Sequence, residues 1–300
     1  DQYFCQASAC FPKYQAQLTY NYPHLFFKGL TLRPKFAVEN IRYVTFDALA
    51  QSAVLTLERR FFKFPSLLAS LDYTLEFIQQ SGAVKSDDNQ SLRIGSLTPA
   101  LKLDIRDDPL SPTKGFMAQT SFEFASTALG SQVSPFPIGY TRFQLRMDGH
   151  IPIVKGISWL LSFRTGFARN LEPPPDPNDP STQYAIPLSK QFVLGGAGSI
   201  RGFQERSINV SDTAIRGTLA YVNYRTQVDI PFSGNLTFGP FLDAGNLLVD
   251  RFSFGILRWG AGVGFRYRSP VGPINFDFGF NLFPRAGESQ SQFYFSIGVI

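Results

Sequence analysis

No run of about 18 consecutive apolar residues, the length a membrane-crossing helix needs, occurs anywhere in the 300-residue sequence. Charge is scarce too: Asp, Glu, Lys and Arg make up 17% of the chain, against about 25% in ordinary soluble domains. Histidine and cysteine number two each, and no zinc-ligand spacing, phosphate-binding loop or Gly-x-Ser-x-Gly elbow is present. His24 sits beside a turn, and His150 falls on the polar side of an alternating segment, where hydrogen bonding suits it better than proton abstraction. The expectation is a protein that is not an enzyme, with no cofactor and no metal. The formal charge is +5 without a basic cluster, which argues against nucleic acid as a partner. Asp1 is not followed by a signal-peptide pattern, so the sequence is a mature chain or a fragment. Cys5 and Cys10 lie close together in a short stretch, as expected of a local disulfide in an oxidising compartment.

What the sequence has in quantity is aromatic residues in a period of two. Aromatics reach 15%, with 31 Phe and 12 Tyr. Over 273–281, Ile274, Phe276, Phe278 and Phe280 alternate with Asn275, Asp277, Gly279 and Asn281. Successive strand side chains point to opposite faces, so this segment separates an apolar wall from a polar one. The split recurs. Trp259, Ala261, Val263, Phe265 and Tyr267 oppose Gly260, Gly262, Gly264, Arg266 and Arg268. Leu71, Tyr73, Leu75 and Phe77 oppose Asp72, Thr74 and Glu76, and Phe143, Leu145 and Met147 oppose Arg142, Gln144, Arg146 and Asp148. A soluble sandwich also alternates. Here the polar face carries charge in strand after strand, as a wet lumen requires. The other face is rich in Phe and Leu, with Tyr and Trp toward strand ends, as in the aromatic girdles of membrane barrels.

The fold class predicted is all-β, an antiparallel transmembrane β-barrel filling residues 1–300. Glu123, Arg142, Arg146, Arg164, Arg225 and Arg266 are expected to face the lumen, and Phe122, Phe143, Phe163, Phe265 and Phe278 the lipid. About 13 strands are visible, near 13–22, 30–39, 52–61, 67–78, 92–106, 116–125, 140–151, 157–168, 217–230, 236–244, 259–268, 273–282 and 292–300. Short connections such as 152–156, 231–235 and 269–273 alternate with long ones at 79–91, 126–139, 170–214 and 246–257. Bacterial barrels have short periplasmic turns, longer external loops and an even strand number. The odd count implies strands missing before Lys13, and residues 1–10 read as an external loop.

The longest connection passes through Pro173-Pro174-Pro175-Asp176-Pro177 and then Phe192 to Phe203, which includes Gly195, Gly196, Gly198, Ile200, Arg201 and Gly202. A loop of this length in a compact domain is usually functional. A single Arg among apolar residues suits a plug that inserts one charge into a polar lumen, and composition leaves a loose external loop equally open. If it is a plug, the side-chain-free stripe of Gly260, Gly262 and Gly264, or the neighbouring strand, is where it can approach the wall closely. Asp104, Asp107 and Asp108 mark a strand end and turn better than a cation site.

Gly195-Gly196 followed by Ile200-Arg201-Gly202-Phe203 resembles the loop hallmark of the bacterial surface antigen superfamily of outer-membrane barrels, the BamA/TamA type. Three further segments match in order: Asp104 to Pro109 with Pro112 to Gly115, Phe241 to Gly245, and Gly262 to Tyr267 with Ser269 to Pro273. The resemblance covers residues 92–300 by motif and 1–91 by pattern. It implies a barrel of about sixteen strands, within the even-numbered range of bacterial barrels, preceded by POTRA domains that this chain lacks. It implies an insertase of the bacterial outer membrane that folds client barrels through a seam between first and last strands by β-augmentation. Its partners would be the lipid bilayer, unfolded outer-membrane clients and periplasmic or lipoprotein accessory subunits. The alternative is a two-partner secretion transporter that exports a polypeptide through its lumen. The resemblance also places Arg201 in the lumen against Asp243. The family's second acid falls by spacing at Gln227, and Asp229, two residues on and same-facing, can take its place. The chain ends in Ile300 where the family has Phe or Trp.

Overall fold

The computed structural model describes residues 3–6, 9–12, 15–26, 28–42, 47–61, 64–81, 91–154, 156–172, 186–208, 218–248, 256–269 and 272–297. Its strands in chain order are β1 (Tyr3–Gln6), β2 (Ala9–Pro12), β3 (Gln15–Thr19), β4 (Tyr22–Pro23), β5 (Leu30–Arg42), β6 (Asp47–Phe61), β7 (Phe64–Ser81) and β8 (Ser91–Asp104). There follow β9 (Gly115–Ala125), β10 (Tyr140–Val154), β11 (Ile157–Asn170), β12 (Ala220–Ser233), β13 (Leu236–Leu248), β14 (Arg258–Ser269), β15 (Gly272–Asn281) and β16 (Ser291–Ile297).

Fourteen of these form one sheet whose order follows the sequence from β3 to β16, with β4 pairing β5 beside β3. β3 and β4 both pair with β5, so counting them as one pass gives thirteen. That matches the strands visible in the sequence in number and order. Some passes are longer than the alternating segments: β6 starts at Asp47 rather than 52, and β10 runs to Val154 rather than 151, while β16 (291–297 against 292–300) is shorter. Ladder bonds use backbone groups alone, so pairing continues where side-chain alternation has stopped. The segment read as an external loop at 1–10 carries a separate hairpin, β1–β2, in which Cys5 lies opposite Cys10. The disulfide itself lies outside the described side chains.

The chain divides into two compact units. In the first (residues 1–102, 120–143 and 168–190), β6 and β7 pair without a break from Asp47↔Ser81 to Arg60↔Leu68. Leu71, Tyr73 and Phe77 are exposed there, while Glu58 is buried. The predicted long loop at 126–139 folds back onto β8. Ser131 and Gln132 side chains accept the backbone N–H groups of Gly95 and Arg93 at 3.0 Å each. A Cβ at position 95 would lie 2.0 Å from the Leu129 carbonyl oxygen, so only glycine admits this contact.

The second unit (residues 103–119, 144–167 and 191–300) contains β12 to β16, and its pairing register stacks side chains into rows. Arg225, Asp243, Gly260 and Asn281 face one another across four strands. Gln227, Phe241, Gly262, Gly279 and Gln292 form the next row, and Gly239, Gly264, Asp277 and Tyr294 the one after. All lie on one face, because same-face residues in a strand are two apart. That face is polar and buried: Asn275, Asp277 and Asn281 are at most 7% exposed, whereas Phe276, Phe278 and Phe280 between them are 39–48% exposed. Water would select the reverse arrangement, since exposing aromatic surface opposes the hydrophobic effect. A lipid surround removes that cost.

Candidate functional site

The loop from Ile186 to Ile208 builds the site. Its interior is a small apolar cluster, Leu194, Ile200, Phe203 and Ile208, packed on Leu247 of β13 with Tyr221 alongside. Tight turns close around it. Gly195 N–H donates to Ser199 Oγ (2.8 Å), Gly196 N–H to the Ile200 carbonyl (3.2 Å), and Ile208 N–H to the Leu194 carbonyl (3.1 Å). Gly196 and Gly202 have φ of 98° and 102°, a left-handed region that side chains with a Cβ rarely enter. The sequence read as Gly-Gly…Ile-Arg-Gly-Phe is therefore a folded knob: its glycines turn the chain, its Ile and Phe fill the interior, and Arg201 projects.

Arg201 is 1% exposed and meets a partner on every side. Its Nε and Nη2 donate to Asp243 Oδ2 and Oδ1 at 2.8 and 2.9 Å, and its backbone N–H donates to Oδ2 at 3.0 Å. Nη1 donates to Gln227 Oε1 at 2.8 Å and lies 3.5 Å from Asp277 Oδ1. The guanidinium carbon stands 3.4 Å above the centre of the Phe241 ring, a cation–π stack. The bidentate geometry is the strong form of an Arg–carboxylate pair. Burial acts to lower the Arg201 pKa, yet the adjacent Asp243 charge and hydrogen bonds outweigh it, and the guanidinium is held more firmly protonated than usual.

The wall is shaped for this knob. A Cβ at Gly260 would lie 1.8 Å from the Arg201 carbonyl oxygen, and one at Gly279 would lie 2.6 Å from the Gly202 nitrogen. Gly202 N–H donates to the Tyr294 hydroxyl at 3.0 Å, and that hydroxyl donates to the Phe203 carbonyl. The Arg164 guanidinium and the Asn223 amide hold the Gly198 and Ser199 carbonyls.

The expected residues Gly195, Gly196, Ile200, Arg201, Gly202 and Phe203 thus come together, with Asp243 and Gln227 as direct partners of Arg201. Asp229 needs correction. It does not bond Arg201; it accepts from the Gln227 amide (2.6 Å) and from Arg266 (3.0 Å). Asp229 lies one row beyond Gln227, and the Arg201 side chain ends at Gln227. The charge near Arg201 comes instead from Asp277 on β15. The glycine stripe is also only partly a loop seat. Gly260 meets the loop, whereas Gly262 makes room for the Phe278 carbonyl oxygen (2.1 Å from a Cβ) and the Phe241 ring (2.6 Å), and Gly264 for the Asp277 carboxylate (2.1 Å). Gly279 on the neighbouring strand supplies the second seat. Asp277, Phe241 and Tyr294 were missed because a single strand shows only which face each occupies; register decides which of them meet.

In the first unit the same loop has a second charged contact. Lys190 Nζ pairs with Glu76 and lies 3.9 Å from Glu123, which also receives the Tyr140 hydroxyl (2.7 Å) and faces Arg142 at 3.6 Å. Burial acts to lower the Lys190 pKa, but Glu123 and Glu76 more than offset it and raise it. The aspartates at 104–108 serve a turn. Asp104 pairs with Arg106, Asp107 accepts from the Thr113 hydroxyl (2.6 Å) and from the N–H groups of Asp108, Thr113 and Lys114, and Asp108 accepts from Leu110 N–H. His24 Nδ1 accepts from Gly29 N–H within a turn, and His150 Nδ1 has no hydrogen bond among the described residues.

Comparison with known proteins adds four findings. Residues 12–299 match the Omp85 superfamily domain. Over 208 residues the chain is 28% identical to the outer membrane protein assembly factor BamA of Nitratidesulfovibrio vulgaris, covering 65% of this chain and 24% of that protein. Among solved structures it resembles BamA from Haemophilus ducreyi lacking POTRA domains 1–3, with a TM-score of 0.75 and 17% identity over 97% of this chain and 62% of that one. It also resembles CdiB from Acinetobacter baumannii, with a TM-score of 0.52 and 10% identity over 98% and 58% of the two chains. The chain spans about a quarter of the length of the curated relative.

Proposed function

We propose that this chain, which belongs to the Omp85 superfamily, acts as the membrane barrel of an outer-membrane protein assembly factor, inserting client barrels through a seam between its terminal strands. The fold is an antiparallel transmembrane β-barrel fold of the BamA type, and the protein resides in the bacterial outer membrane. The observation that carries the insertase reading is the state of the sheet's last strand. Among the described residues β16 has a neighbour on one side only, β15, and it spans seven residues against thirteen or more in β5, β6 and β7. A short strand with an open edge presents unpaired N–H and C=O groups to an incoming extended segment. On β16, Phe293, Phe295 and Ile297 are all more than half exposed, an apolar face suited to lipid beside such an edge. The partners in this reading are the bilayer, unfolded outer-membrane clients and accessory subunits on the periplasmic side.

Photo-crosslinkers placed along β16 and, for contrast, along β9 test it in cells making a synchronised client barrel. Crosslinks to the client from β16 and none from β9 are expected. The second reading, polypeptide export, has the CdiB-like fold in its favour. It predicts client crosslinks from the inner face of β9 and β10 and product released outside the cell.

A further inference from the structure

Below the Arg201 site, at the short-turn end of the polar face, lies a cavity of about 360 Å³. We propose that this cavity is a binding site for a phosphate-type oxyanion. Among the described residues its lining carries six arginines (106, 146, 164, 225, 266 and 268) and three aspartates (148, 229 and 277), with no lysine or glutamate. Six less three leaves a formal surplus of +3. Including the groups just behind the wall, Arg201 on one side and Asp104 and Asp243 on the other, gives seven against five and still leaves +2.

The surplus is localised. Arg106 is paired with Asp104, Arg146 with Asp148, and Arg266 with Asp229 and Asp277. Among the described residues the Arg164 side chain donates only to a carbonyl, and that of Arg268 only to a serine hydroxyl at 3.3 Å. Arg225 makes no hydrogen bond among the described residues. Its nearest carboxylate oxygen, on Asp243 at 3.6 Å, is already held by Arg201, and its side chain is only 10% exposed. Its Nε is buried without a hydrogen bond among the described residues. Arg225 lies opposite Ser162, and Arg164 two residues on lies opposite Asn223, so the two guanidiniums are diagonal neighbours on one face. A buried guanidinium with free donors carries a desolvation penalty that an oxyanion would relieve. The use of Arg alone fits a tetrahedral oxyanion, because the planar fork gives two parallel N–H donors where a lysine gives a point charge. The cavity is lined at its mouth by Pro112, Gly234 and Pro273 of the short turns, which in bacterial barrels face the periplasm. The ligand would enter from that side as a soluble phosphate or as the headgroup of a lipid.

The test is calorimetric titration of the protein in a phosphate-free sugar detergent, with inorganic pyrophosphate and glycerol 3-phosphate as probes and ionic strength held constant with chloride. Saturable binding of one probe is expected. Arg225→Gln should weaken it by at least about tenfold, and Arg225→Lys, which keeps the charge but loses the fork, by a smaller factor. Arg268→Gln should weaken it as well without touching the loop contacts. Heat-modifiable migration on gels establishes that each variant is folded. Tighter pyrophosphate binding identifies a soluble ligand, and tighter glycerol 3-phosphate binding a lipid headgroup; both support the site. No saturable binding, binding matched by chloride, or affinity unchanged in folded Arg225→Gln and Arg268→Gln overturns it. So does exclusive binding of a polyglutamate peptide, which would assign the cavity to an acidic protein segment.

Discussion

Arg201 and Asp243 are both essentially inaccessible to water, so neither can be rescued by solvent when its partner is removed. Breaking a buried pair of this kind costs about 3–5 kcal/mol. The sheet does not depend on the knob for its ladder. Arg201→Ala should therefore expose 186–208 to protease before it lowers the temperature at which the barrel unfolds on gels, and simultaneous loss of both would show that the loop is integral to the wall. Asp243→Asn should act in the same direction but more mildly, since an amide oxygen still accepts from the guanidinium, and the double variant should be no worse than Arg201→Ala. Gly260→Ala tests the same contact from the wall side. Its Cβ would meet backbone, the Arg201 carbonyl, at 1.8 Å, so the knob must move and protease should find the loop as in Arg201→Ala. Gly198→Ala, where a Cβ meets nothing within 4 Å, should stay within about 0.5 kcal/mol of the parent.

Two elements outside the fourteen-stranded sheet carry their own predictions. In the β8–β9 turn, hydrogen bonds from the Thr113 hydroxyl first, and then from the backbone N–H groups of Thr113, Lys114 and Asp108, hold the Asp107 carboxyl well below the usual range. A depressed folded pKa means that the carboxylate stabilises the turn fully above the unfolded value of about 3.9. That contribution is lost as the pH falls from there through the folded value. The Thr113 and Lys114 amide resonances should accordingly titrate with a midpoint well under 3.9, and a midpoint near 4 would refute the hydrogen-bonded turn. In the β1–β2 hairpin, Cys5 and Cys10 are direct cross-strand partners. Such pairs hold their Cα atoms about 4.5–5.5 Å apart, within the span of about 4.4–6.8 Å that a disulfide bridges. Unreduced protein should therefore resist thiol labelling at both positions.

At the scale of the whole molecule the governing fact is a sheet with opposite surroundings on its two faces. The chain's two tryptophans, Trp159 and Trp259, each lie near the start of their strand on the apolar side, and because β11 and β14 run in opposite directions they mark opposite rims of the sheet. In bilayers of brominated lipid their fluorescence should be quenched, and more by bromines near the headgroup than by those near the chain ends, as an aromatic girdle requires. Quenching by aqueous iodide alone would mean that the exposed face meets water. The strands, their order and the inward placement of Arg164, Arg225 and Arg266 follow from the sequence by itself, because a period of two is a local property and lipid on one side makes its contrast strong. The turning points of the knob are local for the same reason: a glycine at a left-handed position leaves a mark in the sequence. What the sequence could not decide is which inward residues meet. Asp277, Phe241 and Tyr294 lie 76, 40 and 93 residues from Arg201 by their numbering and come to it through the pairing of β12 to β16. The assignment of Asp229 to Arg201 failed by one row of that register. That Arg225 shares its nearest carboxylate with Arg201 and makes no hydrogen bond among the described residues depends on the same thing, since whether a buried charge finds a partner of its own is settled by neighbours on other strands, and only the tertiary structure supplies them.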